Sequence, residues 1–183
     1  MAKPILYLLN GKVAKFGNSV LGTYPTDPVN PNWNPLNLPP FTLRFRANSD
    51  SRPVVWYGTL VNVEGRIWDF TYENTNWNYV LSNMGSLYEI LSFNSTGITS
   101  MKDCFNGDSS LINVPLFDTR TLTDVSNMFV WCDRVESGIV DLYNQMSNQV
   151  NPPESHSGCF KYCGSSTVTG AAELAQIPSD WKS

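Results

Sequence analysis

Residues 87–110 read LYEILSFNSTGITSMKDCFNGDSS, and residues 111–134 read LINVPLFDTRTLTDVSNMFVWCDR. Laid one on the other at an offset of 24 residues, Leu87 falls on Leu111, Ile90 on Val114, Phe93 on Phe117, Ile98 on Leu122, Met101 on Val125 and Phe105 on Phe129. Val135 opens a third turn at the same spacing. The helical pattern of Asp141-Leu-Tyr-Asn-Gln-Met-Ser147 interrupts it, Pro152-Pro153 ends the interruption, and the register returns at Cys159-Phe160-Lys-Tyr-Cys163. Phe160 lies 31 residues after Phe129, one repeat plus a seven-residue insertion. A turn of this kind cannot bury its apolar face alone, and stacked turns bury one continuous core. Residues 87–183 therefore predict a short stack of repeats, a β solenoid, closed at its far end by the tail Thr169-Gly-Ala-Ala-Glu-Leu-Ala175 and Ile177-Pro-Ser-Asp-Trp181.

Upstream, residues 41–86 predict the other cap. Phe41-Thr-Leu-Arg-Phe-Arg46 alternates apolar and polar, as a half-buried strand does. Val54-Val-Trp-Tyr-Gly-Thr-Leu-Val61 and Arg66-Ile-Trp-Asp-Phe-Thr-Tyr72 are the second and third strands of an expected antiparallel meander. Trp77, Val80, Leu81 and Met84 then fall at helical spacing, predicting a short capping helix between residues 76 and 86. Trp56, Trp68 and Trp77 read as core and cap residues.

Residues 1–40 differ from the rest, holding seven of the twelve prolines. TYPTDPVNPNWNPLNLPP (residues 23–40) repeats Pro every three or four positions over most of its length, which fixes φ and keeps the chain extended. Ahead of it, ILYLLNGKVAKFGNSVLG predicts two or three short strands with turns at Asn10-Gly11 and Gly17-Asn18. This arm either packs on its own domain or docks on another chain.

Charged residues make up only 15% of the 183, against about a quarter in ordinary domains, and polarity comes from Asn, Ser and Thr. Net charge is −4, with no basic patch, which argues against a nucleic-acid partner. No run approaches the roughly 18 apolar residues of a membrane span. The apolar run at residues 5–9 is shorter than the ~7–15 residues of a signal h-region.

No catalytic constellation stands out. His156, the single histidine, sits in Pro153-Glu-Ser-His-Ser-Gly158 with no nucleophile motif beside it, and reads as a solvated loop residue. No calcium loop or phosphate cradle occurs, and Asp118 suits turn N–H groups better than a metal, so no cofactor is expected. The cysteines Cys104, Cys132, Cys159 and Cys163 lack zinc-ribbon spacing and fall into repeat columns: Cys104, Met128 and Cys159 in one, Asp108, Cys132 and Cys163 in another. Small apolar thiols in a stacked core explain them, and Cys132 with Cys163 is the one pair that neighbouring rungs bring within disulfide reach. In the Phe-x-x-Cys loops the middle residues are Asn106-Gly107, Val130-Trp131 and Lys161-Tyr162. With Phe pointing inward, these are expected to project outward. Trp131 and Tyr162 would then stand side by side on one ridge, with Val130 and Lys161 beside them, as a binding surface for a sugar face or a protein.

Pro115-Leu-Phe-Asp-Thr119 and Thr123-Asp-Val-Ser-Asn-Met-Phe-Val-Trp-Cys132 resemble the BspA-like leucine-rich repeats of bacterial and phage surface proteins. Their repeats read roughly L-x-x-V-x-L-F-D-T-S-x-V-T-N-M-x-x-M-F-x-x-C. The 87–110 turn departs from this, with Cys104 for Met and Asp108 for Cys. The likeness spans residues 68–181. The arrangement from linker to tail is similar to proteins encoded by phages and prophages of gut Bacteroidota. The resemblance implies an α+β chain with a leucine-rich-repeat-like solenoid and no enzymatic activity. It implies a virion fibre, tip or decoration component, homo-oligomeric, with a trimer the expected form, that docks on other virion proteins through residues 1–40. The alternative is a bacterial surface or cytoplasmic repeat module that binds a host protein or glycan.

Overall fold

The computed structural model describes residues 33–183 and two short strands before them, β1 (Leu8–Leu9) and β2 (Lys12–Val13). These two pair antiparallel, Leu8 with Val13 and Leu9 with Lys12, and the turn expected at Asn10-Gly11 lies outside the described residues. The turn expected at Gly17-Asn18 and the linker before residue 33 lie outside the described residues.

The central element is an open four-stranded antiparallel sheet of β3 (Thr42–Ala47), β4 (Thr59–Glu64), β5 (Ile67–Thr71) and β6 (Leu87–Asn94), in the order β4-β5-β3-β6. This corrects the expected meander in two ways. The second strand starts at Thr59, not Val54. Gly58 takes φ +64, and a Cβ there would sit 2.3 Å from the Thr71 carbonyl, so the chain turns sharply before it can pair. And β5 and β3 occupy the middle of the sheet, with β4 at one edge.

The larger correction concerns the solenoid. β6, the strand expected to open the repeat stack, is the fourth strand of this antiparallel sheet and pairs with β3. Its inward residues Leu87, Ile90 and Phe93 are three apart, yet they oppose Ala47, Phe45 and Leu43, two apart. Two register shifts, between Arg44 and Phe45 and between Arg46 and Ala47, absorb the difference. No parallel strand forms between successive repeats. The expected leucine-rich-repeat-like β solenoid is therefore absent, and the described residues form a small α+β domain with one open four-stranded sheet and two helices beside the β1–β2 pair.

What the 24-residue spacing does build is a set of stacked turns joined by isolated parallel bridges, Asn76 to Ser100, Ser100 to Asp124, and Asp124 to Ser155. The segment expected as a capping helix is the first of them. Tyr79 and Asn83 take positive φ, which breaks a helix, and four alternate N–H groups, of Trp77, Tyr79, Leu81 and Asn83, donate to the carbonyls of Ser100, Lys102, Cys104 and Asn106. The pairs Asp103 and Gly107, Asn127 and Trp131, and Gly158 and Tyr162 repeat the same left-handed positions. Each turn closes internally by bonds such as Val80 N–H to Trp77 O. Phe105, Phe129 and Phe160 stack through the core, with centroids 5.0 and 6.0 Å apart and rings within 4° of parallel.

The segment that interrupts the register folds as α1 (Ile139–Asn148), ten residues long, burying Ile139, Leu142 and Met146. Glu173 of α2 (Val168–Ala175) accepts the Ile139 and Val140 N–H groups at 2.8 and 3.3 Å and so caps α1. The tail lies on the last turn: Trp181 is buried, its ring lies on Phe160 and His156, and its carbonyl accepts the Phe160 N–H. Residues 33–40 lie against β6: Asn34 bonds Ser92, Asn94 donates to the Leu38 carbonyl, and Arg120 covers the Trp33 ring. Among the described residues no helix is long and apolar enough to cross a membrane.

Candidate functional site

Trp131 and Tyr162 end the third and fourth turns at the left-handed position, with φ +62 and +60. For residues other than glycine that conformation costs roughly 1–2 kcal/mol each. Successive turns superpose, so the two side chains leave the stack at one place. Their rings lie 4.1 Å apart and 25° from parallel, and they remain 55% and 43% exposed. Lys161 places Nζ 5.8 Å from the Tyr162 ring centroid, a cation–π arrangement. Preceding members of the column are Gly107 and Asn83. With no side chain at Gly107, the Asn83 amide fills the space, and a Cβ at Gly107 would lie 2.4 Å from Asn83 Oδ1. The ridge thus runs from an amide to two stacked aromatics with a cation at its end.

One residue assigned to this ridge does not belong to it. Val130 is 6% exposed, in the column of Ser82, Asn106 and Lys161. The left-handed backbone of the following residue throws that residue outward and leaves its predecessor against the turn wall.

The cysteines behave as core residues. All four are buried free thiols, so the pairing considered for Cys132 and Cys163 is not formed. Cys132 Sγ donates to the Phe105 carbonyl at 3.0 Å, and burial pushes every one of these thiols up. No cluster of three or more His, Cys, Asp or Glu suited to a metal occurs among the described residues. Asp118 binds Arg120 through both carboxylate oxygens, 2.8 and 2.7 Å, and accepts the Arg120 N–H, as a turn-closing residue does.

His156 does not sit in a solvated loop. It takes the column of Trp77, Met101 and Val125 in the last turn, where Trp181 stacks on it at 4.3 Å. Nδ1 lies 3.3 Å from the Pro153 carbonyl and Nε2 lies 3.5 Å from Asp180. No Ser or Cys side chain among the described residues is hydrogen-bonded to its ring.

Two features escaped the sequence reading. Asp108, in a column of Met84, Cys132 and Cys163, is a buried carboxyl. Oδ1 accepts the Met84 N–H at 2.7 Å, Oδ2 has no partner, and burial holds its pKa well above the usual range. The second is a cavity of about 360 Å³ between the loop at residues 49–56 and the first turn. Trp56 stands at its rim, 84% exposed, and is not the core residue its apolar run predicted. Trp68 and Trp77 are buried, as expected. In comparisons with known proteins, no family model, no curated protein and no solved structure matches this chain.

Proposed function

We propose that this chain is a non-enzymatic adhesion protein that grips a receptor through the Trp131–Tyr162 ridge. The observation that carries the reading is a pair of large aromatic rings, packed face to face, that stay about half exposed. Two rings that restrain each other lose little further side-chain freedom on binding, which is how aromatic anchors supply contact area at low entropic cost. A rigid aromatic surface flanked by the Asn83 amide and the Lys161 ammonium suits the apolar face and hydroxyl rim of a sugar ring, so a glycan is the favoured receptor class. A protein receptor is the alternative.

The setting is a virion, where residues 1–40 dock the domain on neighbouring subunits and the chain forms a homo-oligomer. The resemblance of residues 111–134 to phage and bacterial surface repeats and the proline-stiffened arm support this placement. Light scattering on the full chain and on a chain lacking residues 1–40 tests it. An oligomer that becomes a folded monomer on truncation supports an assembly arm. Two monomers of equal stability would favour a stand-alone bacterial module.

A further inference from the structure

The stacked turns have two ends, and among the described residues only one is closed. At each of three junctions the earlier turn donates four alternate N–H groups to four carbonyls of the later turn. The last turn has no later turn to meet. The tail stands in, with the Trp181 carbonyl on the Phe160 N–H and the Ser183 carbonyl on Ser157 Oγ.

The first turn presents the opposite row. Its carbonyls at Asn76, Asn78, Val80 and Ser82 match those of Ser100, Lys102, Cys104 and Asn106, and none of the four accepts a hydrogen bond from a described residue. Val80 and Ser82 line the 360 Å³ cavity, a size within the ~300–1,000 Å³ of ordinary ligand pockets. The opposite wall is the loop that carries Pro53, Val54, Val55 and Trp56. Residues 50–57 make no backbone hydrogen bond to any described residue.

We propose that this open end is a docking site for a short polypeptide segment of a partner protein, which enters beneath the Trp56 loop and adds one more turn by donating backbone N–H groups to the Val80 and Ser82 carbonyls. The chain itself displays, three times over, what such a carbonyl row accepts. The occupant is not the last turn of a second copy, because the tail lies across that turn, with the Trp181 ring on His156 and Phe160 and the Trp181 carbonyl on the Phe160 N–H. An anion is repelled by a row of carbonyls. The apolar wall of Val54, Val55, Leu81 and Met84 selects a segment with apolar or small side chains, and proline is excluded at the donating positions.

The test uses the full chain and a fluorescently labelled, end-blocked peptide copying residues 75–86, the segment that the chain lays on its own next carbonyl row. Anisotropy titration is expected to give saturable binding below millimolar peptide. N-methylation at the nitrogens corresponding to Leu81 and Asn83 is expected to weaken binding at least tenfold. Trp56→Ala, at an exposed position that leaves folding intact, is expected to weaken it severalfold, while Trp131→Ala leaves it unchanged, which separates this site from the ridge. No binding at millimolar peptide, equal binding of the methylated analogue, or loss of binding in Trp131→Ala would overturn the proposal.

Discussion

Replacing Phe129 with Ala removes the middle ring of the Phe105–Phe129–Phe160 column. The ring is fully buried and stacks on both neighbours, 5.0 Å from one and 6.0 Å from the other. A buried Phe→Ala change costs about 3–5 kcal/mol, the sum of lost transfer energy and the cavity left behind. Both stacking contacts go together, each worth ~0.5–1.5 kcal/mol beyond area, so the loss belongs at the upper end of that range. The backbone bond from the Phe129 N–H to the Cys159 carbonyl survives, so the variant keeps its turn and loses only packing. For a chain of this length each kcal/mol shifts Tm by roughly 2–4 °C, which predicts a fall of about 8–20 °C in calorimetry. Trp131→Ala, on the exposed ridge, is the control and is expected to move Tm by no more than about 2 °C, since substitutions at exposed positions stay near ±0.5 kcal/mol. A loss below about 1 kcal/mol for Phe129→Ala would refute the claim that the column bears the stack.

Three further outcomes follow from a buried carboxyl, a strained glycine and the buried thiols. The Asp108 carboxyl has a folded-state pKa raised above its unfolded value of about 3.9, so the native state holds the proton more tightly. Its contribution is most favourable below about pH 4 and is lost as pH rises through the folded pKa; the Tm of Asp108→Asn minus that of the native chain should therefore grow from pH 4 to pH 8, and a constant difference would contradict this assignment. Gly138 takes φ +95 with the Val114 carbonyl 1.8 Å from where a Cβ would lie, so Gly138→Ala is expected to cost at least ~3 kcal/mol in urea unfolding. The four buried thiols are expected to resist an aqueous thiol reagent until denaturant is added and then to react together; rapid native labelling of any of them would refute their core placement.

The residues that told most in the sequence were those whose column recurs with the same chemistry. Phe105, Phe129 and Phe160 fell into register by spacing alone, and so did the outward pair Trp131 and Tyr162, because a ring must either stack inside or be thrown out. What misled was apolar spacing without its backbone. Trp77, Val80, Leu81 and Met84 match a helix in period, yet Tyr79 and Asn83 adopt left-handed φ and turn the segment into the first stacked turn. The strand at residues 87–94 repeats in threes and reads as a repeat unit, whereas two bulges fit that spacing to β3 in an antiparallel sheet. Trp56 sits in an apolar run that reads as a core strand, and the sharp turn at Gly58 leaves it in solvent. His156 could be read as exposed because the tail residue that covers it, Trp181, lies 25 positions away in the chain.

The adhesion reading is tested most directly by titrating the intact chain, its Trp131→Ala variant and its Tyr162→Ala variant against glycans recovered from an array screen. A ridge that anchors the receptor predicts that each substitution weakens binding by roughly 30-fold, equivalent to about 2 kcal/mol at a buried aromatic hot spot, while Tm stays within about 2 °C of the parent. Equal affinity of all three proteins for every glycan that binds would contradict it.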